Sequence, residues 1–407
     1  MRRNSPNNKD YSFPAIVLGL FETGLAVGRS LGRNNIPVYG IDTHKDIGFY
    51  SKYIKGTICP DPSASETKFA TWFINYLKSF REKPILFFTS DVFLGVFSQN
   101  RDQFHDLCRY NIPAHDLLFR ISNKYEQYQL IKNHKILVPE TRIIDHETIL
   151  NGLDHMEYPL FLKGMDVVKW RAVFGGTKKG ILIQDSDELI ETAAILGKHR
   201  LRGIMQEVVK GPDTNHFKYC VYRNSENETL NQFMLQKIRQ HPAHFGVGSA
   251  VKSVFNKDLQ KAGRELFTKL KYSGVGSAEF KYDERDGNWK LIEVNPRYWQ
   301  QYALTEYCKN SFSLNQYLDL TGQNPLKNKS YDTGKIWVNI YMDFSSYLQY
   351  RKESGLNFLQ WIRSLKGKKI FPDFAWDDII PVFYESRFGK RFLRLPLILY
   401  KRYFGRS

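Results

Sequence analysis

Apolar residues along this chain fall into short runs of two kinds. Up to about residue 120, three runs of strand length, at residues 13–19, 36–42 and 84–89, alternate with stretches whose apolar positions recur at helical spacing, through Leu25 to Leu31 and again through Phe93, Val96 and Phe97. That alternation predicts βαβ units and a parallel sheet. From residue 121 the pattern changes to a helix over 124–134, then strands over 159–163, 180–184, 203–209, 218–222 and 231–238 separated by glycine-bearing turns. A helix over 258–271 leads into a hairpin over 276–296, and beyond Gln323 the chain becomes looser and rich in Trp, Tyr and Lys. The expected class is α/β and α+β, with domains at 1–120, 121–325 and 326–407.

The hairpin carries the densest chemistry. Its turn, Glu284, Arg285, Asp286, Gly287 and Asn288, contains an Asp-Gly pair suited to positive φ, and a five-residue loop centred on Asp286 sets Glu279 opposite Glu293. Strand alternation then puts Ala278, Phe280 and Tyr282 with Ile292 and Val294 on a buried side, and Glu279, Glu293 and Asn295 on the other. Two carboxylates facing each other across a ladder repel. A hard cation reverses the sign, and two carboxylates plus an amide oxygen are a donor set that Mg²⁺ accepts when phosphate oxygens complete its shell. Arg297, two residues beyond Asn295, adds a fixed cation suited to phosphate or carboxylate. Upstream, Lys163 ends an apolar strand, where it faces either a cleft or solvent. The segment MQEVVKGPD, residues 205–213, offers strand-edge backbone groups and a carboxylate beside a Gly-Pro turn.

Charge and length narrow the options. The 407 residues carry 59 Lys plus Arg against 42 Asp plus Glu, a net charge of +17, of which seven basic residues with no acid lie in 387–407. No apolar run approaches the ~20 residues of a membrane span, and the basic N-terminus lacks a cleavage site, so a secretory signal is not expected. Four widely spaced cysteines fit a reducing, cytoplasmic compartment. Nucleic-acid binding finds no zinc spacing, helix-turn-helix or RNA-recognition signature. The glycines Gly19, Gly24 and Gly28, with Asp42 downstream, suggest a nicotinamide-dependent oxidoreductase, but their spacing is not that of a dinucleotide fingerprint. In the tail, Phe388, Phe392, Leu395, Leu399 and Tyr403 recur at helical spacing among basic residues, interrupted by Pro396. That fits either a helix packed on its domain or peripheral contact with the inner face of a membrane.

The order of elements, a strand-end lysine, the loop FGGTKKG, the segment QEVVKGPD, then AEF and IEVNPR on a hairpin, resembles the ATP-grasp fold over residues 122–322. The N-terminal unit resembles the Rossmann-like domain that precedes it. The segments GLAVGRSLGRNNIPVYGID and GLNFLQWIRSLKGKK resemble a subgroup of ATP-dependent carboxylate-amine ligases with D-aspartate ligase relatives. The resemblance implies ATP with Mg²⁺ (two ions, Mn²⁺ as a substitute) and a reaction that forms an acylphosphate and opens it with an amine. It implies that Lys124 and Lys163 contact phosphates, that Gln206, Glu207 and Val209 frame adenine, and that Asp213 holds ribose. Glu279, Glu293 and Asn295 match the metal ligands, and Arg297 matches the arginine of the NPR motif, which with Lys163 supplies the catalytic charge. Lys237 and Arg239, with His241, point to the transferred phosphate or an acidic substrate, or form an ordinary basic strand and loop. The implied partners are small-molecule or cell-envelope precursor carboxylates and amines. Two departures stand out: the loop after Lys163 holds Lys169, Trp170 and Arg171, and Asp213 stands where relatives commonly carry Glu. An ATP-binding scaffold without activity is the remaining alternative, and it leaves the full ligand set unexplained.

Overall fold

The computed structural model describes residues 11–145, 147–149, 156–175, 180–326 and 330–384. The basic stretch 387–407 and the loop residues Gly176 to Lys179 lie outside them. By their internal contacts the described residues form two compact units, one within the bounds 1–119, 217–278 and 295–407, the other within 120–216 and 279–294.

The first unit contains a four-stranded parallel sheet of β1 (Ala15–Leu18), β2 (Val38–Asp42), β3 (Ile54–Ile58) and β4 (Ile85–Phe88), in the order β3-β2-β1-β4. β1 and β4 are buried on both faces, as parallel strands covered by helices must be. Ile16, Leu18, Leu86 and Phe88 meet Phe69, Phe73, Phe93 and Phe97 on one side. Ala15, Val17, Ile85 and Phe87 meet Leu25 and Leu31 on the other. This is why these strands read as unbroken apolar runs. β3 (IKGTI) escaped the sequence reading because it is an edge strand with Lys55 and Gly56 exposed.

The second unit holds a sheet of β5 (Thr141–Ile144), β6 (Leu160–Gly164), β7 (Ile181–Ile183) and β8 (Gly203–Glu207), in the order β5-β8-β6-β7. Leu160, Leu162, Met205 and Ile144 face a core closed by Leu189 and Leu196 of the helix Ser186–His199. A third sheet consists of β9 (His216–Arg223), β10 (Thr229–His241), β11 (Val247–Val254), β12 (Gly274–Asp283), β13 (Asn288–Asn295), β14 (Ile336–Val338) and β15 (Lys369–Ile370), in the order β13-β12-β9-β10-β11-β14-β15.

Two expectations for the hairpin are corrected. The loop is four residues, 284–287, because Gly287, at φ 69°, donates its N–H to the Asp283 carbonyl at 2.9 Å and Asn288 is already in the strand. Burial on β13 also departs from simple alternation: Leu291 and Val294 are buried, whereas Ile292, expected inside, is half-exposed. The reason lies on the outer edge of β13. Leu291 N–H donates to the Leu137 carbonyl at 2.8 Å and Val294 N–H to Gln127 Oε1 at 3.0 Å. Outward N–H groups three positions apart require an irregularity between them, since a regular strand repeats every two.

The oxidoreductase reading also fails here. Both Asp42 oxygens are taken by backbone, accepting from Leu20 N–H at 2.6 Å and Thr43 N–H at 2.7 Å. A Cβ on Gly24 would stand 2.0 Å from the Gly19 carbonyl oxygen, so this glycine lets the helix Glu22–Arg33 close on the turn after β1. The motif is packing and capping.

Candidate active site

Within the second unit, strand register brings several expected residues together. Phe161 pairs with Gln206, and Thr141 with Gln206 on the other flank, so Phe161, Lys163, Gln206 and Thr141 share the face turned away from the Leu160–Leu162–Met205 core. Lys163 Nζ donates to Gln206 Oε1 at 3.2 Å and lies 5.4 Å from the centre of the Phe161 ring. Gln206 Nε2 in turn donates to Thr141 Oγ1 at 3.0 Å. Lys163 is therefore directed along a half-buried polar face toward Gln206.

Glu207 ends β8 with its backbone N–H on the Glu140 carbonyl at 2.9 Å, and its carboxylate accepts from Arg285. Val209 is buried. Asp213 opens a short 3₁₀ turn, Asp213–Asn215, after Gly211, whose φ of 114° is accessible to glycine and strained for other residues. Lys124 is the exposed first residue of the helix Lys124–Asn133, whose N-terminus is capped by Asn123, accepting from Tyr125 N–H at 3.0 Å and Glu126 N–H at 3.1 Å.

Two residues the sequence reading passed over organise this unit. Gln127 is buried and holds both backbone groups of Val294: its Nε2 donates to the carbonyl at 3.1 Å and its Oε1 accepts the N–H at 3.0 Å. Val294 lies between Glu293 and Asn295, so this clamp fixes the strand that carries both. The only sequence signal is a Gln one helical turn after Lys124. Gln127→Leu keeps the size and strands both backbone groups, at a cost of about 1–3 kcal/mol. Urea unfolding should show that loss, with a larger fall in activity than a surface substitution such as Lys132→Ala produces.

Arg285 is the second. Its guanidinium holds Asp283 through Nε at 3.0 Å and Nη2 at 2.6 Å, and reaches Glu157 at 3.0 Å as well as Glu207. Lys290 adds a contact to Asp283 at 2.6 Å. Burial alone would raise the Asp283 carboxyl, but the donors Arg285 and Lys290 outweigh it and hold the group well below the usual carboxylate range. The Asp283 bond in turn raises the Arg285 guanidinium.

Glu279 and Glu293 are both half-buried. Among the described residues no three His, Cys, Asp or Glu side chains form a metal cage, so a cation here would rely on amide, phosphate and water oxygens beyond the two carboxylates. That donor chemistry suits Mg²⁺ rather than Zn²⁺.

In the first unit, Asn295 is half-buried, and Arg297 places Nε 2.8 Å from Asp91, the first residue of the helix Asp91–Gln99. Its Nη1 donates to the Tyr298 carbonyl at 2.9 Å. Lys237 and Arg239 are both buried, around a register shift in β10. Lys237 Nζ donates to Gln240 Oε1 at 3.1 Å. Arg239 grips Asp343 in bidentate fashion at 2.9 and 2.7 Å and donates to Ser364 Oγ at 2.5 Å, so its guanidinium serves the interior. His241 shares a 3.2 Å contact with Ser346 Oγ. Of the two readings of this basic strand, the structural one accounts for Arg239. The four cysteines are free and buried, and burial pushes the Cys59 and Cys108 thiols up to about 12, which unsuits them as nucleophiles.

Comparison with known proteins places this arrangement. No family model matches the chain. It is 23% identical over 332 residues to the D-aspartate ligase of Enterococcus faecium (strain Aus0004), covering 75% of this chain and 76% of that protein. Among solved structures it is similar to an ADP complex of N5-carboxyaminoimidazole ribonucleotide synthetase, with TM-score 0.60 and 14% identity over 78% of this chain and 80% of that one. It is also similar to the L-amino acid ligase from Bacillus licheniformis, with TM-score 0.59 and 13% identity over 78% and 76%. A biotin carboxylase from Campylobacter jejuni gives TM-score 0.59 and 14% identity over 80% and 75%. Together these likenesses show that the chain has the ATP-grasp fold.

Proposed function

We propose that this chain is an ATP-dependent ligase that activates a carboxylate as an acylphosphate and joins it to an amine, releasing ADP and phosphate. The observation that carries the reading is that Lys163 of β6 reaches Gln206 of β8 and donates a hydrogen bond to it, with Glu207 the next residue along that strand. A nucleotide binder needs a phosphate cation and an adenine-framing strand side by side. The D-aspartate ligase relative supports an amino acid as one of the two substrates.

In this scheme Gln206, Glu207 and the Val209 backbone frame adenine, Asp213 meets ribose, and Lys124 and Lys163 neutralise phosphate charge. Glu279, Glu293 and Asn295 hold Mg²⁺, which when bound supplies charge neutralisation at the phosphates. Arg297 stabilises charge on the transferred phosphoryl group and the acyl acceptor. Phosphoryl transfer to a carboxylate needs positioning and cationic charge more than a protein nucleophile, consistent with cysteines that are all buried. ATP as substrate and four free thiols support a cytoplasmic setting.

The test is a coupled ADP assay with Mg²⁺, offering D-aspartate first and then other amino acids and envelope-precursor carboxylates. ADP and phosphate release that rises only when carboxylate and amine are both present supports the reading. Release of AMP and pyrophosphate overturns it.

A further inference from the structure

The short helix Phe358–Ser364 is anchored from within and bare without. Trp361 Nε1 donates to Asp343 Oδ2 at 2.8 Å, and Ser364 Oγ accepts from Arg239 at 2.5 Å, so the inner side is tied to a buried ion pair. Trp361 also stacks on Tyr347 at 5.1 Å, and Leu365 just past the helix is buried. At 100° per residue, Ile362 and Leu359 lie about 100° and 160° from the direction of Trp361 and face outward, while Phe358, about 60° away, borders them with its ring against Trp361 at 5.5 Å and Tyr347 at 6.1 Å. Phe358, Ile362 and Leu359 are 54%, 48% and 63% exposed. Isolated exposed leucines are ordinary, but three adjoining apolar side chains on a helix whose other side is pinned form a surface.

Charge indicates what covers it. Residues 351–371 contain six basic residues (Arg351, Lys352, Arg363, Lys366, Lys368 and Lys369), all exposed, against one acid, Glu353, which is engaged with His244 at 3.0 Å. Downstream, Trp376 is 87% exposed beside Asp377 and Asp378, which pair with Arg33 and Arg29, Phe383 is 68% exposed, and residues 387–407 add seven basic residues and no acid in the sequence. Aliphatic and aromatic side chains within a basic collar match a surface that is hydrocarbon beneath and anionic at its headgroups. A nucleic acid would engage the basic and aromatic groups but gain little from Leu359 and Ile362. We infer that the helix Phe358–Ser364 and its basic flanks dock this protein peripherally on a membrane surface rich in anionic phospholipid. The inference is independent of the ligase reading.

Cosedimentation of the full chain with phosphatidylglycerol–phosphatidylcholine vesicles and with pure phosphatidylcholine vesicles tests it. The wild type partitions onto the anionic vesicles only, and added salt weakens that partition. The triple variant Phe358→Ser, Leu359→Ser, Ile362→Ser loses at least about tenfold in partition coefficient, and so does Lys366→Glu, Lys368→Glu, Lys369→Glu. Both variants keep vesicle-free ATP turnover, and the lysine variant keeps the wild-type Tm. Leu359→Ser alone, at the most exposed position of the three, gives a partial loss and guards against misfolding of the triple variant. Serine variants that bind vesicles as tightly as wild type, equal binding to neutral vesicles, or tighter binding to an RNA homopolymer than to anionic vesicles would each overturn the inference.

Discussion

Replacing Glu293 by alanine is expected to lower Mg²⁺-dependent ATP turnover by on the order of 10³-fold or more, with the unfolding transition unchanged. Glu293 is half-buried on β13, beside Val294, whose N–H and carbonyl are both held by Gln127. A strand held that firmly has no need of the Glu293 carboxylate for its own stability, so a loss of turnover would report on the proposed metal site. If Glu279 and Glu293 hold Mg²⁺ as proposed, losing one of the two carboxylates would weaken the hold on the ion and remove counter-charge for the phosphates. Glu293→Asp retains the charge at a shorter reach and should recover part of the rate at high Mg²⁺. Steady-state ADP formation, with circular dichroism on the same samples, checks both. Wild-type turnover in Glu293→Ala would remove this residue from the proposed metal site.

The second large effect is on stability. Asp343 is fully buried and accepts from both ends of the Arg239 guanidinium, from the Trp361 indole at 2.8 Å and from Ser249 at 3.1 Å. Asp343→Ala leaves a guanidinium that is 4% exposed without a counterion, a situation that costs about 3–5 kcal/mol. Replacing both partners, as in Arg239→Met with Asp343→Leu, should restore most of it, because the large penalty comes from the orphaned charge and the pair itself contributes little beyond well-packed apolar side chains. Chemical denaturation of the two single variants and the double variant distinguishes the cases. Equal losses in Asp343→Ala and in the double variant would mean that packing around Trp361, and not the stranded Arg239, dominates.

What the sequence made legible follows from periodicity and turn chemistry. β1, β2 and β4 were readable because helices cover them and leave uninterrupted apolar runs, and the 284–287 turn because Asp-Gly announces positive φ. β5 (TRII) and β3 (IKGTI) were not, since polar or glycine positions interrupt them at lengths of only four and five residues. The lysine and the glutamine-glutamate pair of the candidate site could be picked out individually, but that Lys163 touches Gln206 depends on the β6–β8 register, which no local pattern encodes. Gln127 and Arg285 were invisible for the same reason: their partners lie up to 167 residues away. Arg239 shows the opposite hazard. Its position in a basic strand suggested a ligand, while its counterion, Asp343, sits 104 residues on in a different element.

The claim that a carboxylate is activated by phosphoryl transfer has one direct test. With the carboxylate substrate labelled in both oxygens with ¹⁸O, an acylphosphate route carries one label from the carboxyl group into inorganic phosphate, because the bridging oxygen leaves with the phosphate when the amine attacks. The account predicts one ¹⁸O per phosphate released, dependent on Mg²⁺ and amine and lost in Glu293→Ala. Phosphate free of label alongside ligated product, or label in AMP, would contradict it.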